Sequence, residues 1–165
     1  MNIEIIDICD DLPKHPTKRY GLRLLSRVTE ITIHHSATQP TKRQDTKLVL
    51  FGIASYHIQS RDWPGIGYSY AVDSFGKVYQ VNYLSTKCYH NESKNTTSIG
   101  VVFLGNFEKE SPTKEQYESG AKLMALIQLR LGRNLSIVGH NASKKKGNKG
   151  GTACPGKNFD LSKLE

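Results

Sequence analysis

From Ile99 to Leu104 the chain carries no polar side chain. Successive side chains of a strand point to opposite faces, so such a run is stable as a strand only where both faces of its sheet are covered. It predicts a central strand with helices on either side. The rest of the chain supplies matching elements. Residues 30 to 35, Glu-Ile-Thr-Ile-His-His, alternate and read as a strand with Ile31 and Ile33 on one face and Thr32 and His34 on the other. Tyr68 to Val72 and Lys77 to Val81 read as a hairpin across Asp73-Ser74-Phe75-Gly76, and Leu135 to Val138 as a short strand.

Two helices are expected between them. Asp45 can cap a helix reaching about Ser60, with Leu48, Phe51 or Gly52, Ser55 and Ile58 or Gln59 as its spaced stripe. Thr113 and Gln116 match a capping box; Tyr117, Ala121, Met124, Ile127 and Leu131 follow at helical spacing, and Gly132 ends the segment. Strands interleaved with long helices predict an α/β fold with a central mixed β-sheet flanked by helices. A chain of 165 residues suits one domain spanning residues 1–165.

Composition removes several function classes. Apolar residues make up 37% and charged residues 23%, which is neither a disordered nor a fibrous composition. No stretch approaches the roughly 20 apolar residues that span a bilayer, so no transmembrane segment is expected. The N-terminal residues include acids where a signal peptide needs basic groups. The net charge of +8 favours polyanionic partners without choosing among nucleic acid, anionic lipid and cell wall. Cys9, Cys88 and Cys154 lack the spacing of a disulfide scaffold and leave any one thiol free to be a ligand.

Catalytic zinc takes three protein ligands from imidazole, thiolate or carboxylate and keeps a fourth position open. His34 at a strand end, with His140 and Cys154 flanking a late loop, would satisfy that. Six histidines and three cysteines offer many such triples, however. On residue type alone the set is weak, and His34 reads rather as a hydrogen-bonded strand residue and Cys154 as a small buried hydrophobe.

Four motifs occur in order: Thr32-Ile-His34-His35-Ser-Ala-Thr38; Trp63-Pro-Gly-Ile-Gly67-Tyr68-Ser-Tyr70; Asn95-Thr-Thr-Ser98-Ile-Gly100 through Gly105-Asn106-Phe107; and Gly139-His140 with Thr152-Ala-Cys154-Pro-Gly156. Together they resemble the peptidoglycan recognition protein and phage-lysozyme branch of the N-acetylmuramoyl-L-alanine amidases, over about residues 26 to 160. The resemblance implies a mixed sheet with a zinc groove on one face. It implies His34, His140 and Cys154 as Zn2+ ligands and Tyr68 and Thr152 as catalytic groups facing the scissile amide. His90 and Asn95 would be substrate-binding residues of the groove. His35, on the face of Ile31 and Ile33, would be a packed residue, as would His57 and Trp63. Cys9 and Cys88 match no family position.

Two departures stand out: a longer, lysine-rich stretch between His140 and Cys154, and Val81-Asn82-Tyr83 where the family carries Gly-Arg. The implied activity is cleavage between the lactyl group of N-acetylmuramic acid and the L-alanine of the stem peptide. The implied partner is bacterial peptidoglycan, and the implied setting a phage endolysin or virion-borne lysin, made in the host cytoplasm and acting on the wall after release. A monomer is assumed. Two rival readings are a non-catalytic peptidoglycan receptor, against which Cys154 and Tyr68 argue, and a nucleic-acid-binding protein, for which a glycine-rich lysine loop at Lys144 to Lys149 is weak support. The Leu164-Glu165 pair is compatible with an appended dipeptide.

Overall fold

The computed structural model describes residues 3–38, 45–142 and 151–165. Its centre is a six-stranded mixed sheet built from β1 (Ile5–Asp7), β2 (Glu30–His35), β3 (Tyr70–Val72), β4 (Val78–Gln80), β5 (Ser98–Phe103) and β6 (Ser136–Gly139). The order across the sheet is β1-β4-β3-β5-β2-β6. Only the β3–β4 hairpin is antiparallel; β5, β2 and β6 run parallel side by side. Every residue of β5 is buried, as a strand covered on both faces requires.

The two faces are closed by two long helices, α1 (Thr46–Arg61) and α2 (Lys114–Leu131). Ile31, Ile33, Ile99, Val101 and Phe103 meet Leu123, Met124 and Ile127 of α2 on one face. Ala71, Val102 and Leu104 meet Leu50 and Ala54 of α1 on the other. The Thr113–Gln116 capping box is complete in both directions, and Gly132 closes α2 in the left-handed conformation at φ 64°.

Asp45 caps α1 by accepting from the Lys47 amide. The buried stripe of that helix is Leu50, Ala54 and His57, whereas Leu48 and Phe51 are exposed. The expected stripe is thus rotated: the helix offers two apolar spacings, and the one through Leu50 and Ala54 packs against Ala71, Val102 and Leu104. The hairpin strands are also shorter than expected: Tyr68 and Ser69 precede β3, where Ser69 donates to Gly100 and accepts from Val81 and Asn82.

Strand β1, within the isoleucine-rich run Ile3-Glu4-Ile5-Ile6-Asp7-Ile8, is not among the expected strands; it is three residues long and pairs in parallel with β4 at the sheet edge. Ile8 and Leu12 behind it enter the α1-side core. Leu164, in the 3-10 helix Leu161–Leu164, is 1% exposed and packs with the α2-side core. No helix among the described residues is long and apolar enough to cross a membrane.

Candidate metal centre and groove

In the parallel β2–β5 register His34 sits beside Val102 and Thr32 beside Gly100. Paired residues of a parallel sheet share a face, and Val102 belongs to the α1 side. His34 therefore points to that side, at the C-terminal end of β2, where ligand sites of open α/β sheets collect. His35 turns to the other side; its Nδ1 accepts from the Phe107 amide at 3.2 Å. The expectation that the two adjacent rings part company holds.

His140 follows β6 directly, and β6 is the neighbour of β2, so its ring comes within 4.6 Å of His34, centroid to centroid. Cys154 reaches the same place from a loop pinned to the end of β6. Asn141 donates its amide to the Cys154 carbonyl at 2.7 Å. Gly139 admits that loop: a Cβ there would lie 2.9 Å from Cδ of Pro155 and 2.6 Å from Oδ1 of Asn141. Cys154 Sγ then lies 3.7 Å from Nδ1 of His34, and the ligand atoms of His34, His140 and Cys154 all fall within 4.8 Å of one another. Tetrahedral zinc with ordinary Zn–N and Zn–S bonds separates a nitrogen and a sulfur ligand by about 3.6 Å. The His34–Cys154 pair matches that spacing, and the third ligand atom lies near enough for the three to be candidate ligands of such an ion.

The protonation states fit as well. Burial lowers the pKa of both His34 and His140, which keeps them as the neutral imidazoles that metals bind. Burial pushes the Cys154 thiol up to about 11, against a backbone hydrogen bond from His35 that pulls it down. A buried thiol of this kind stays protonated in neutral water, and only a cation beside it makes the thiolate favourable.

Tyr68 stands next to the cluster, its ring 5.2 Å from that of His34 and 5.7 Å from that of His57. Its carbonyl is held by Asn82 Nδ2 at 2.8 Å. Asn82, at the departure from the family's Gly-Arg, thus braces the tyrosine backbone. Burial, and then the proximity of Cys154, raise the Tyr68 pKa, so the phenol keeps its proton and can donate it in a hydrogen bond. Thr152 is exposed, and its Oγ1 accepts from the Cys154 amide at 3.1 Å. Among the described residues its hydroxyl hydrogen has no acceptor.

A cleft of about 550 Å3 opens beside His140, lined by Arg61, Trp63, Tyr89, His90 and Asn95 among others. His90 is 6% exposed. Asn95 Oδ1 accepts from the amides of His90 and Asn91 at 3.0 and 2.8 Å, so its oxygen shapes the loop that forms this wall. His57 is buried: its Nδ1 accepts from the Gly67 amide at 3.1 Å and its ring rests 4.8 Å from that of Trp63. Trp63 both packs there and faces the cleft. Cys9 and Cys88 are buried free thiols, raised to about 12 and about 11 by burial.

Sequence reasoning missed Arg23. This arginine is 4% exposed and donates to the carbonyls of Leu84, Asn95 and Ser98 and to Ser69 Oγ. It ties the segment before β2 to the floor of the cleft. Nothing in Leu22-Arg23-Leu24 distinguishes it from a surface arginine. The lysine-rich stretch lies, but for Gly151, outside the described residues.

His34 and Cys154, both buried, and the half-buried His140 form a candidate metal site beside the cleft, at the C-terminal edge of the mixed sheet. The N-acetylmuramoyl-L-alanine amidase family model matches residues 24–157, and the chain belongs to that family. The chain is 31% identical over 140 residues to a peptidoglycan-recognition protein of Drosophila simulans, covering 83% of this chain and 73% of that protein. Among solved structures it resembles peptidoglycan recognition protein-LE in complex with tracheal cytotoxin, with 26% identity, a TM-score of 0.81 and coverage of 94% and 89% of the two chains. It also shares its fold with the N-acetylmuramoyl-L-alanine amidase LysC of Clostridium intestinale, with 21% identity, a TM-score of 0.75 and coverage of 99% and 95%.

Proposed function

We propose that this chain is a zinc-dependent amidase of bacterial peptidoglycan. It cuts the amide between the lactyl group of N-acetylmuramic acid and the L-alanine of the stem peptide, in the setting of a phage endolysin or virion-borne lysin. The observation that carries the reading is the convergence of His34, His140 and Cys154 within 4.8 Å at the edge of the cleft. Zinc, when bound there, supplies Lewis acidity toward the amide carbonyl and makes a water nucleophilic at neutral pH.

The chain's own groups do the rest. The Tyr68 phenol, protonated and beside the cluster, donates to the oxyanion that develops at the carbonyl. The Thr152 hydroxyl gives a second donor while its oxygen holds the Cys154 turn. His90, Asn95 and Trp63 wall the cleft that receives the glycan and stem peptide.

The runner-up is a receptor that binds peptidoglycan without cutting it, a reading favoured by the names of the recognition-protein relatives. Digestion of purified sacculi separates the two. The amidase reading expects released lactyl carboxylates and new L-alanine amino termini, with activity lost to a chelator and restored by zinc. Tight binding to sacculi with no new termini in the zinc-loaded protein would establish the receptor instead.

A further inference from the structure

His90 lies outside the sheet, yet its ring is held at both nitrogens. Its Nε2 is 3.2 Å from the carbonyl oxygen of Ser98, and its Nδ1 is 3.0 Å from Nε2 of His34. A carbonyl oxygen only accepts, so His90 Nε2 carries its hydrogen. His90 is 6% exposed and the Arg23 guanidinium donates to the same Ser98 oxygen, so the imidazole in this place is the neutral one. A neutral His90 protonated at Nε2 has only a lone pair at Nδ1. The hydrogen between the two rings therefore belongs to Nε2 of His34.

The consequence falls on the far side of the His34 ring. With Nε2 protonated, Nδ1 is bare, and Nδ1 is the atom that faces Cys154 Sγ at 3.7 Å. The His90 ring has little room to move away, because it rests on the backbone of β5: a Cβ at Gly100 would lie 2.6 Å from its Cγ. We propose that His90 is a positioning residue that fixes His34 as the Nε2–H tautomer and aims its Nδ1 lone pair at the shared ligand position before any ion arrives. The purpose of this arrangement rests on the zinc reading above; the tautomer does not.

The test starts from metal-free wild-type protein, labelled with 15N-histidine, in which long-range proton–nitrogen correlations identify the tautomer of each ring. His34 and His90 should both appear as Nε2–H forms. An Nδ1–H or averaged pattern for His34 overturns the proposal, and this measurement needs no variant. His90→Leu then removes the acceptor at similar volume. The His34 pattern should average, and zinc affinity by chelator competition should fall by about 10- to 100-fold. His90→Asn, whose Oδ1 takes about the place of Nδ1, should recover most of that loss. Unchanged zinc affinity in a folded His90→Leu overturns the positioning role. A wild-type chain that shows the Nε2–H tautomer but takes up no zinc upholds the His90–His34 relation and overturns the metal reading.

Discussion

The amide of His35 donates to Sγ of Cys154 across 3.4 Å, although the two residues are 119 positions apart. The neighbour of one candidate ligand thus supports another through its backbone, while its own ring is engaged with the Phe107 amide on the opposite side of the sheet. Backbone support of this kind survives side-chain substitution, which makes the pair His34 and His35 a sharp discriminator.

His34→Ala, His140→Ala and Cys154→Ala should each lose stoichiometric zinc and lytic activity, whereas His35→Ala should keep the metal and lose only packing. Zinc content and circular dichroism on the same preparations check this. Zinc retained by His34→Ala and lost by a folded His35→Ala would show that the strand faces had been assigned the wrong way round.

Tyr68→Phe should lower turnover by about 10²- to 10³-fold with zinc content unchanged, the usual cost of removing one oxyanion donor. Thr152 has a second duty, since its oxygen accepts the Cys154 amide. Thr152→Ala should therefore lose some zinc affinity along with turnover, and Thr152→Ser should restore both. Steady-state kinetics on a soluble muramyl peptide, with zinc measured in parallel, decides the matter; full activity in Tyr68→Phe takes the phenol out of the chemistry.

Gly139→Ala tests how the Cys154 loop is held. The added methyl would lie within 3 Å of Asn141 and Pro155, both in the hinge that presents the sulfur. Overpacking of this sort costs about 1 to 3 kcal/mol. The variant should unfold at a lower denaturant concentration and bind zinc more weakly, while Gly132→Ala, beyond the end of α2, should leave zinc affinity unchanged. Equal zinc affinity in Gly139→Ala and wild type would show that the loop does not depend on this contact.

His57 makes stability depend on pH away from the metal ligands. Burial, and secondarily the Arg61 charge, lower its pKa from 6.5 to about 4. A group whose folded pKa is depressed contributes stability that is complete above its unfolded pKa and lost as pH falls toward the folded value. Between pH 6.5 and about 4 the metal-free protein should lose up to about 3 kcal/mol from this residue alone. His57→Gln, which can still accept from Gly67, should flatten that part of the profile. Denaturant titrations of both proteins at pH 7 and pH 4.5 measure the difference, and identical slopes would assign the acid sensitivity elsewhere.

Local rules carried much of the fold. The period of two in residues 30–35 placed His34 and His35 on opposite faces, and the uninterrupted apolar run at Ile99–Leu104 demanded a doubly covered strand; both follow from strand geometry alone. The ends of α2 were legible for the same reason, because a capping box and a left-handed glycine act within a few residues. The candidate ligand set was legible only through ordered motifs, since no local rule relates His34 to a cysteine 120 positions later.

Tertiary structure decided what depends on a partner. Two apolar spacings competed along α1, and only the sheet beneath it selected Leu50, Ala54 and His57 over Leu48 and Phe51. Arg23 looked like any surface arginine until distant carbonyls converged on it. The role of His90 rests on the same kind of fact: a hydrogen-bond chain has a direction only when its far end is known, and that end, the Ser98 carbonyl, is brought beside the ring by the folded chain and by no pattern in the sequence.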